Sequence, residues 1–331
     1  MAGYPVSAWV AIAIGFCLWS PDVAAGAELI RVEKAEEAMG TTFSMVLYGD
    51  DRARLEGATS AAFAEVHRLD QMLSNYLPDS AWSEVNRSAA LRPVTVPMEL
   101  FQLLSDCLDY SRTSGGTFDI TVGPLMKAWG FYRGEGLLPQ KAEIAQALRA
   151  VGYRHVHLDR STQSVRFDLA GVELDPGGVG KGYAVDRVID VLKREGVKIA
   201  LISAGGSSIY GMGAPPEDPQ GWRITIRAPH DPHRGAAELF LRDMSFSTSG
   251  SYEKFFWANG RRYAHIMDPR TGYPARGASS VSVLAPRTID SEVWAKPYFI
   301  QGQAWTTTHK PRDFRVFFCE DTTQAVCSWI P

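Results

Sequence analysis

The chain of 331 residues is 45% hydrophobic and carries a formal net charge of −3. Such a length can bury one large core or two closely packed halves. The near-neutral balance argues against nucleic acid as the main partner, and no internal repeat or low-complexity tract is apparent.

Ala8 to Trp19 is an uninterrupted apolar run, too short to span a bilayer comfortably. Ala25-Gly26-Ala27 then offers a small-x-small cleavage site. Residues 1–27 are therefore expected to be a signal peptide and the mature chain to be exported to the periplasm. No Lys or Arg precedes the run, so the alternative is an uncleaved membrane tether. Export permits disulfides. Cys107 sits on a stripe with Leu100, Leu103, Leu104 and Leu108 and reads as a buried free thiol, whereas Cys319 and Cys327 bracket a turn-rich segment and read as a hairpin disulfide.

Glu28 to Lys34 and Phe43 to Gly49 alternate as strands, and a helix is expected from Arg52 to Leu73. A polar loop holding Tyr76 follows. Pro97 opens the Cys107 helix, which Gly115-Gly116 ends. After the aromatic run Trp129-Gly-Phe-Tyr132 come a short helix from Pro139 to Ala150 and strands at His155–Leu158 and Val165–Phe167.

The most informative stretch is Val172 to Gly196. Val172 and Leu174 read as the end of a buried strand, which Asp175 and Pro176 stop; Gly177, Gly178 and Gly180 then form a turn of little bulk. Beyond it Val185, Val188, Ile189 and Leu192 recur at helical spacing. A glycine turn opening a helix presents free N–H groups and the positive end of the helix dipole to an anion, most often phosphate. The spacing is neither a Walker A motif nor GxGxxG, so a tight turn with no ligand is the alternative. Lys198 to Ser203 is a further strand, and Ala204-Gly-Gly-Ser-Ser208 a second glycine-rich turn. Between Phe246 and Pro274 a hydroxyl cluster, His265, Asp268 and a Pro/Gly turn crowd together, ahead of a strand at Ser279–Leu284.

Four blocks together resemble the FAD:protein FMN transferase, or ApbE, family. They are Met39-Gly-Thr-Thr, Thr117-Phe-Asp-Ile-Thr-Val-Gly-Pro-Leu with Trp129-Gly-Phe, Asp175-Pro-Gly-Gly-Val-Gly-Lys-Gly-Tyr-Ala-Val-Asp186, and Ser247-Thr-Ser-Gly-Ser-Tyr with His265-Ile-Met-Asp-Pro-Arg-Thr-Gly. They stand in the family's order over roughly residues 35–302. The resemblance implies a single α+β, T-fold-like domain over residues 28–302, built of two packed α/β subdomains with a deep FAD cleft between them. Residues 303–331 fall outside it, as a C-terminal extension. It also implies transfer of FMN from FAD to a Thr or Ser of an exported flavoprotein acceptor, with release of AMP and with Mg²⁺ at the pyrophosphate.

By that resemblance Met39, Tyr76, Thr117, Phe118 and Asp119 line the flavin and adenosine site. Gly177, Gly178, Lys181 and Tyr183 cradle the pyrophosphate, and Gly180 gives the metal its carbonyl. His265 and Ile266 lie over the reacting phosphate end, and His265, Lys181 and Asp268 are the candidate catalytic groups. The charge on developing phosphate oxygens can be met by Mg²⁺, backbone N–H groups and Lys181.

One stretch departs from the family. Where Asp-Ala-x-x-Thr supplies two metal ligands, this chain has Glu292 at the Asp position and Lys296 at the Thr position. An ammonium cannot ligate Mg²⁺. Either Lys296 takes over part of the metal's electrostatic role, or the alignment slips and Asp290 is a ligand. Two further readings keep the fold, namely a non-catalytic FAD-binding protein and an enzyme hydrolysing FAD to FMN and AMP.

Overall fold

The computed structural model describes residues 29–134, 136–322 and 326–331; the expected signal peptide, residues 1–27, lies outside the described residues. A hairpin leads. β1 (Ile30–Ala38) and β2 (Thr41–Gly49) pair antiparallel out to Ala38 and Thr41. Between them Met39 (φ 52°) and Gly40 (φ 68°) both take left-handed backbone, as a two-residue type I′ turn requires. α1 (Arg52–Leu73) starts on Asp51, whose carboxylate accepts the Arg54 N–H. It buries Leu55, Ala58, Ala62, Val66 and Leu69, three or four residues apart, with Phe63 beside them.

A smaller lobe follows. It comprises α2 (Ala81–Ser88), β3 (Val94–Thr95), α3 (Met98–Thr113), α4 (Gly123–Ala128), α5 (Lys141–Arg149), β4 (Val156–Asp159) and β5 (Ser164–Phe167). Its strands form an antiparallel sheet in the order β3-β5-β4, packed on Trp82, Leu104, Cys107 and Phe118. Val172–Leu174 leads out of this lobe but is not a strand. The Leu174 backbone groups are taken by side chains: Asn86 accepts its N–H at 2.7 Å, and Trp82 and Asn86 donate to its carbonyl, while the Glu173 carbonyl accepts the Gly123 N–H.

The chain then returns to the first hairpin through α6 (Gly180–Arg194), β6 (Ile199–Ala204) and β7 (Ser208–Met212). A long ribbon follows, β8 (Trp222–Ala228) with β9 (Asp231–Leu241), and then β10 (Met244–Gly250). Two small hairpins come next, β11 (Phe255–Ala258) with β12 (Arg261–Ala264) and β13 (Met267–Asp268) with β14 (Tyr273–Pro274). β15 (Ala278–Ala285), α7 (Thr288–Gln301), α8 (Gln303–His309), β16 (Arg315–Glu320) and β17 (Cys327–Trp329) complete the order.

The main sheet has eight strands in the order β1-β2-β6-β7-β10-β15-β16-β17, every neighbouring pair antiparallel. One face packs on α1 and α6 and, further along, on α7. The other is covered by the β8–β9 ribbon through Trp222, Ile226, Leu239 and Leu241. β15, enclosed on both faces, is buried at all eight positions, and the residues buried there are apolar or small, with Ser279, Ser280 and Ser282 among them.

The structure corrects the boundary drawn at residue 302. Residues 303–331 are no appendage, because β16 and β17 extend the main sheet and Val316 and Phe318 enter its core. Cys319 is disulfide-bonded to Cys327 across facing positions of β16 and β17, and Cys107 is a buried free thiol. Among the described residues no helix is long and apolar enough to cross a membrane.

Candidate active site

The glycine turn sits where the smaller lobe meets the main sheet. Asp175 accepts the Gly177 N–H at 2.6 Å, and Pro176–Gly178 make one tight 3₁₀ turn before α6 opens at Gly180. Little bulk fits here. A Cβ on Gly178 would stand 3.2 Å from the Phe118 ring and 3.6 Å from Lys296 Cε, and one on Gly180 would stand 3.3 Å from Met39 Cε. Phe118, Met39 and the stem of Lys296 therefore wall the turn. Lys181 Nζ donates to Ser207 Oγ at 2.6 Å, tying this turn to the second glycine turn, where Gly205 and Gly206 both have positive φ.

The positive end of α6 is already answered from within the chain. Glu292 on α7 accepts the Gly182 N–H. In return Asp186 on α6 accepts the Thr288 and Ile289 N–H groups at 2.7 and 2.9 Å. Each carboxylate thus sits in the first turn of the other helix, where the dipole favours it. Burial nonetheless pushes the Asp186 carboxyl up to about 6.

Lys296 lies one turn beyond Glu292 on α7. Its Nζ donates to the Glu292 carbonyl at 2.9 Å and stands 3.9 Å from Glu292 Oε1. Burial pushes its pKa down to about 8, with Glu292 and Asp175 resisting and Lys181 adding to the fall. About a fifth of the side chain, 21%, still meets solvent. Lys296 remains mainly charged at neutral pH.

His265 is pushed down to about 4, first by burial and then by the charges of Lys254, Lys296 and Lys181. Its Nδ1 lies 3.1 Å from the Lys254 carbonyl. A carbonyl only accepts, so Nδ1 carries the hydrogen and Nε2 is the proton acceptor of a neutral ring.

Other candidates fall less centrally. Tyr76 is 70% exposed and meets Tyr132 edge-on at 6.0 Å. The Tyr132 hydroxyl is buried beside Asp175, whose carboxyl burial pushes up. Thr117 donates to the Ser114 carbonyl, and Asp119 accepts from Thr121 and the Tyr153 N–H, so both shape the Phe118 loop. The Tyr183 hydroxyl donates to Glu99 at 2.8 Å and lines a separate hollow with Gln102 and Arg187. Ile266 is core.

Asp268 is held by Arg270, which donates to it through its backbone N–H, Nε and Nη2. That pairing engages both carboxylate oxygens of Asp268 and leaves neither free for proton transfer. Asp290 is bound by Tyr110 and Arg287. Two residues from Glu292 it lies roughly 200° around the helix, so Glu292 and Lys296 lie against the glycine turn while Asp290 is turned towards Tyr110 and Arg287. Ser207 and Lys254 were missed by sequence reasoning. Ser207 carried a signal, the second glycine turn, whereas Lys254 carried none.

These donors do not fit Mg²⁺, which needs several oxygen ligands near octahedral geometry. One Glu292 oxygen receives the Gly182 N–H and the other faces an ammonium. Among the described residues no group of three or more His, Cys, Asp or Glu side chains is placed to hold a metal.

Comparisons with known proteins agree on one family. The model of the ApbE family matches residues 39–318. The FAD:protein FMN transferase of Treponema pallidum (strain Nichols) is 31% identical over 291 residues, covering 83% of this chain and 80% of the relative. One from Klebsiella pneumoniae (strain 342) is 33% identical over 268 residues, with 80% of each covered. Among solved structures, the ApbE protein of Thermotoga maritima superposes with a TM-score of 0.82 at 26% identity, over 90% of this chain and 96% of that one. The apo flavinyl transferase ApbE of Pseudomonas stutzeri gives 0.79 at 28% identity, over 91% and 95%. With the glycine turn, its aromatic wall and the strand order all in place, the chain belongs to the ApbE family.

Proposed function

We propose that this chain is an FAD:protein FMN transferase. The observation that carries the reading is the glycine turn, walled by Phe118 and Met39 and flanked by Lys181, Lys296 and neutral His265, in a chain whose relatives bear that name. The pyrophosphate lies against the turn, with Lys181 and the backbone neutralising it. A hydroxyl oxygen of an acceptor Thr or Ser bonds to the phosphorus of the FMN half. The bond to the AMP oxygen breaks and AMP leaves with its electron pair. The hydroxyl proton goes to His265 Nε2, which the burial of the ring keeps unprotonated. The acceptor is a flavoprotein on the far side of the inner membrane, reached because residues 1–27 direct export. No metal has a part in this reading, since the donors do not fit one.

The test is incubation of residues 28–331 with FAD and an exported flavoprotein acceptor. AMP release together with protein-bound flavin that survives denaturation supports the reading. AMP and free FMN without bound flavin would make water the acceptor and overturn it.

A further inference from the structure

We propose that Lys296 is the resident cation of the pyrophosphate site, so that FAD is bound and neutralised without a divalent metal. The inference rests on FAD as substrate and adds what does the electrostatic work.

Three observations carry it. First, the Lys296 stem runs against the glycine turn, with Cε and Cδ 3.6 and 3.9 Å from where a Gly178 Cβ would stand. An anion laid on that turn meets the ammonium. Second, an ammonium has three donors, and the structure gives this one a single hydrogen bond, to the Glu292 carbonyl, with the Glu292 carboxylate beyond bonding distance at 3.9 Å. Charge-assisted bonds to phosphate oxygens are what the remaining donors can make. Third, cations converge: Lys181, Lys254 and Lys296 all bear on His265. The opposing carboxylates, Asp175 and Glu292, each already accept a backbone N–H. A pyrophosphate dianion supplies the negative charge this cluster lacks.

A divalent ion cannot share the position. It would stand among ammonium groups and compete with Lys296 for the Glu292 carboxylate. Since Lys296 is covalently part of α7, its charge is delivered at full occupancy whatever the metal concentration outside the cell.

The experiment is an FAD titration of residues 28–331 followed by flavin fluorescence, in EDTA and in millimolar MgCl₂, for wild type and Lys296→Met. The proposal expects wild-type affinity to agree within about twofold between the two buffers. It expects the variant to bind about tenfold or more weakly in both, while its melting temperature stays at or above that of wild type. It is overturned if Mg²⁺ tightens wild-type binding about tenfold, or if Lys296→Met binds FAD as wild type does. A wild type that binds no FAD in either buffer sinks the transferase reading itself, a result distinct from metal-dependent binding.

Discussion

Asp186 and Glu292 cap each other's helices. Asp186, in the second turn of α6, accepts the first N–H groups of α7, and Glu292, one turn into α7, accepts the Gly182 N–H near the start of α6. The two helices are thereby locked at their positive ends, with the glycine turn and Lys296 between them and the smaller lobe. The lock fixes the site geometry and also explains why a carboxylate at position 292 is unavailable to a metal.

The lock leaves no room at Gly182. A Cβ there would lie 2.6 Å from the Thr288 carbonyl oxygen and 2.8 Å from Glu292 Oε2, and the first contact is backbone that cannot swing away. Gly182→Ala should separate α6 from α7 at a cost of about 2–3 kcal/mol. It should also weaken FAD binding, because the turn moves with α6. Chemical denaturation and an FAD titration check both; a variant as stable as wild type would show that α7 can shift freely.

Asp186 gives the lock a pH dependence. Removing it in Asp186→Ala orphans two buried N–H groups, at about 1–3 kcal/mol. The folded carboxyl titrates near 6, above the 3.8 of the unfolded chain. Its burial penalty is therefore fully present above pH 6 and is relieved as pH falls from about 6 towards 4. Wild type regains stability over that window and the alanine variant does not. The gap between them should be wider at pH 5 than at pH 7 in urea denaturation, and a gap that narrows with acid refutes the assignment.

Much of this was legible where local rules decide. The bounds of α1 follow from Asp51 as cap and from apolar residues every three or four positions. The glycine turn and α6 follow from Pro176, three glycines and a 3.6 period closed at Gly196, which has φ 75°. What escaped reading depends on partners far along the chain. Val172–Leu174 looks like a strand, but Asn86 and Trp82 occupy the backbone groups of Leu174. α7 shows no clean stripe because it is enclosed by α6 and the sheet, burying Ile289, Val293, Ala295, Tyr298 and Phe299. The hairpin at Cys319 and Cys327 was legible, but its place at the edge of the main sheet was not, because an edge built from the end of the chain declares itself only in pairing. Asp268 was a candidate catalytic group by resemblance; its pairing with Arg270, two residues on, is local and could have been foreseen.

The edge hairpin should depend on its covalent link. Cys319–Cys327 spans eight positions, and the loop-entropy relation gives about 2–3 kcal/mol for so short a loop. Cys319 is buried, so Cys327→Ser alone leaves a thiol in the core in place of the bond. We expect that variant to lose this amount in denaturant unfolding under oxidising conditions, and to match wild type once both are reduced. Thiol counting on denatured, unreduced residues 28–331 should find one group, Cys107; three would disprove the bond in solution.

Lys296 should trade stability for binding. The pull of Glu292 and Asp175 on its ammonium favours the charge, yet its pKa falls from 10.5 to about 8, so burial and the repulsion of Lys181 outweigh that pull. The charged side chain therefore weighs against the folded state, and Met, of similar length and apolar, removes that penalty. With a fifth of the side chain in water the gain is discounted to about 1–3 kcal/mol at pH 7. The sign with pH follows from the depressed value. Below pH 8 the folded protein carries the whole penalty, and between about 8 and 10.5 the folded lysine is neutral while the unfolded one stays charged, so wild type gains stability as pH rises. The advantage of Lys296→Met in melting temperature should be largest at pH 7 and shrink between pH 8 and 10. A variant less stable than wild type at pH 7 would mean that the ion pair with Glu292 outweighs burial, and that Lys296 is held for structure and not for its charge towards FAD.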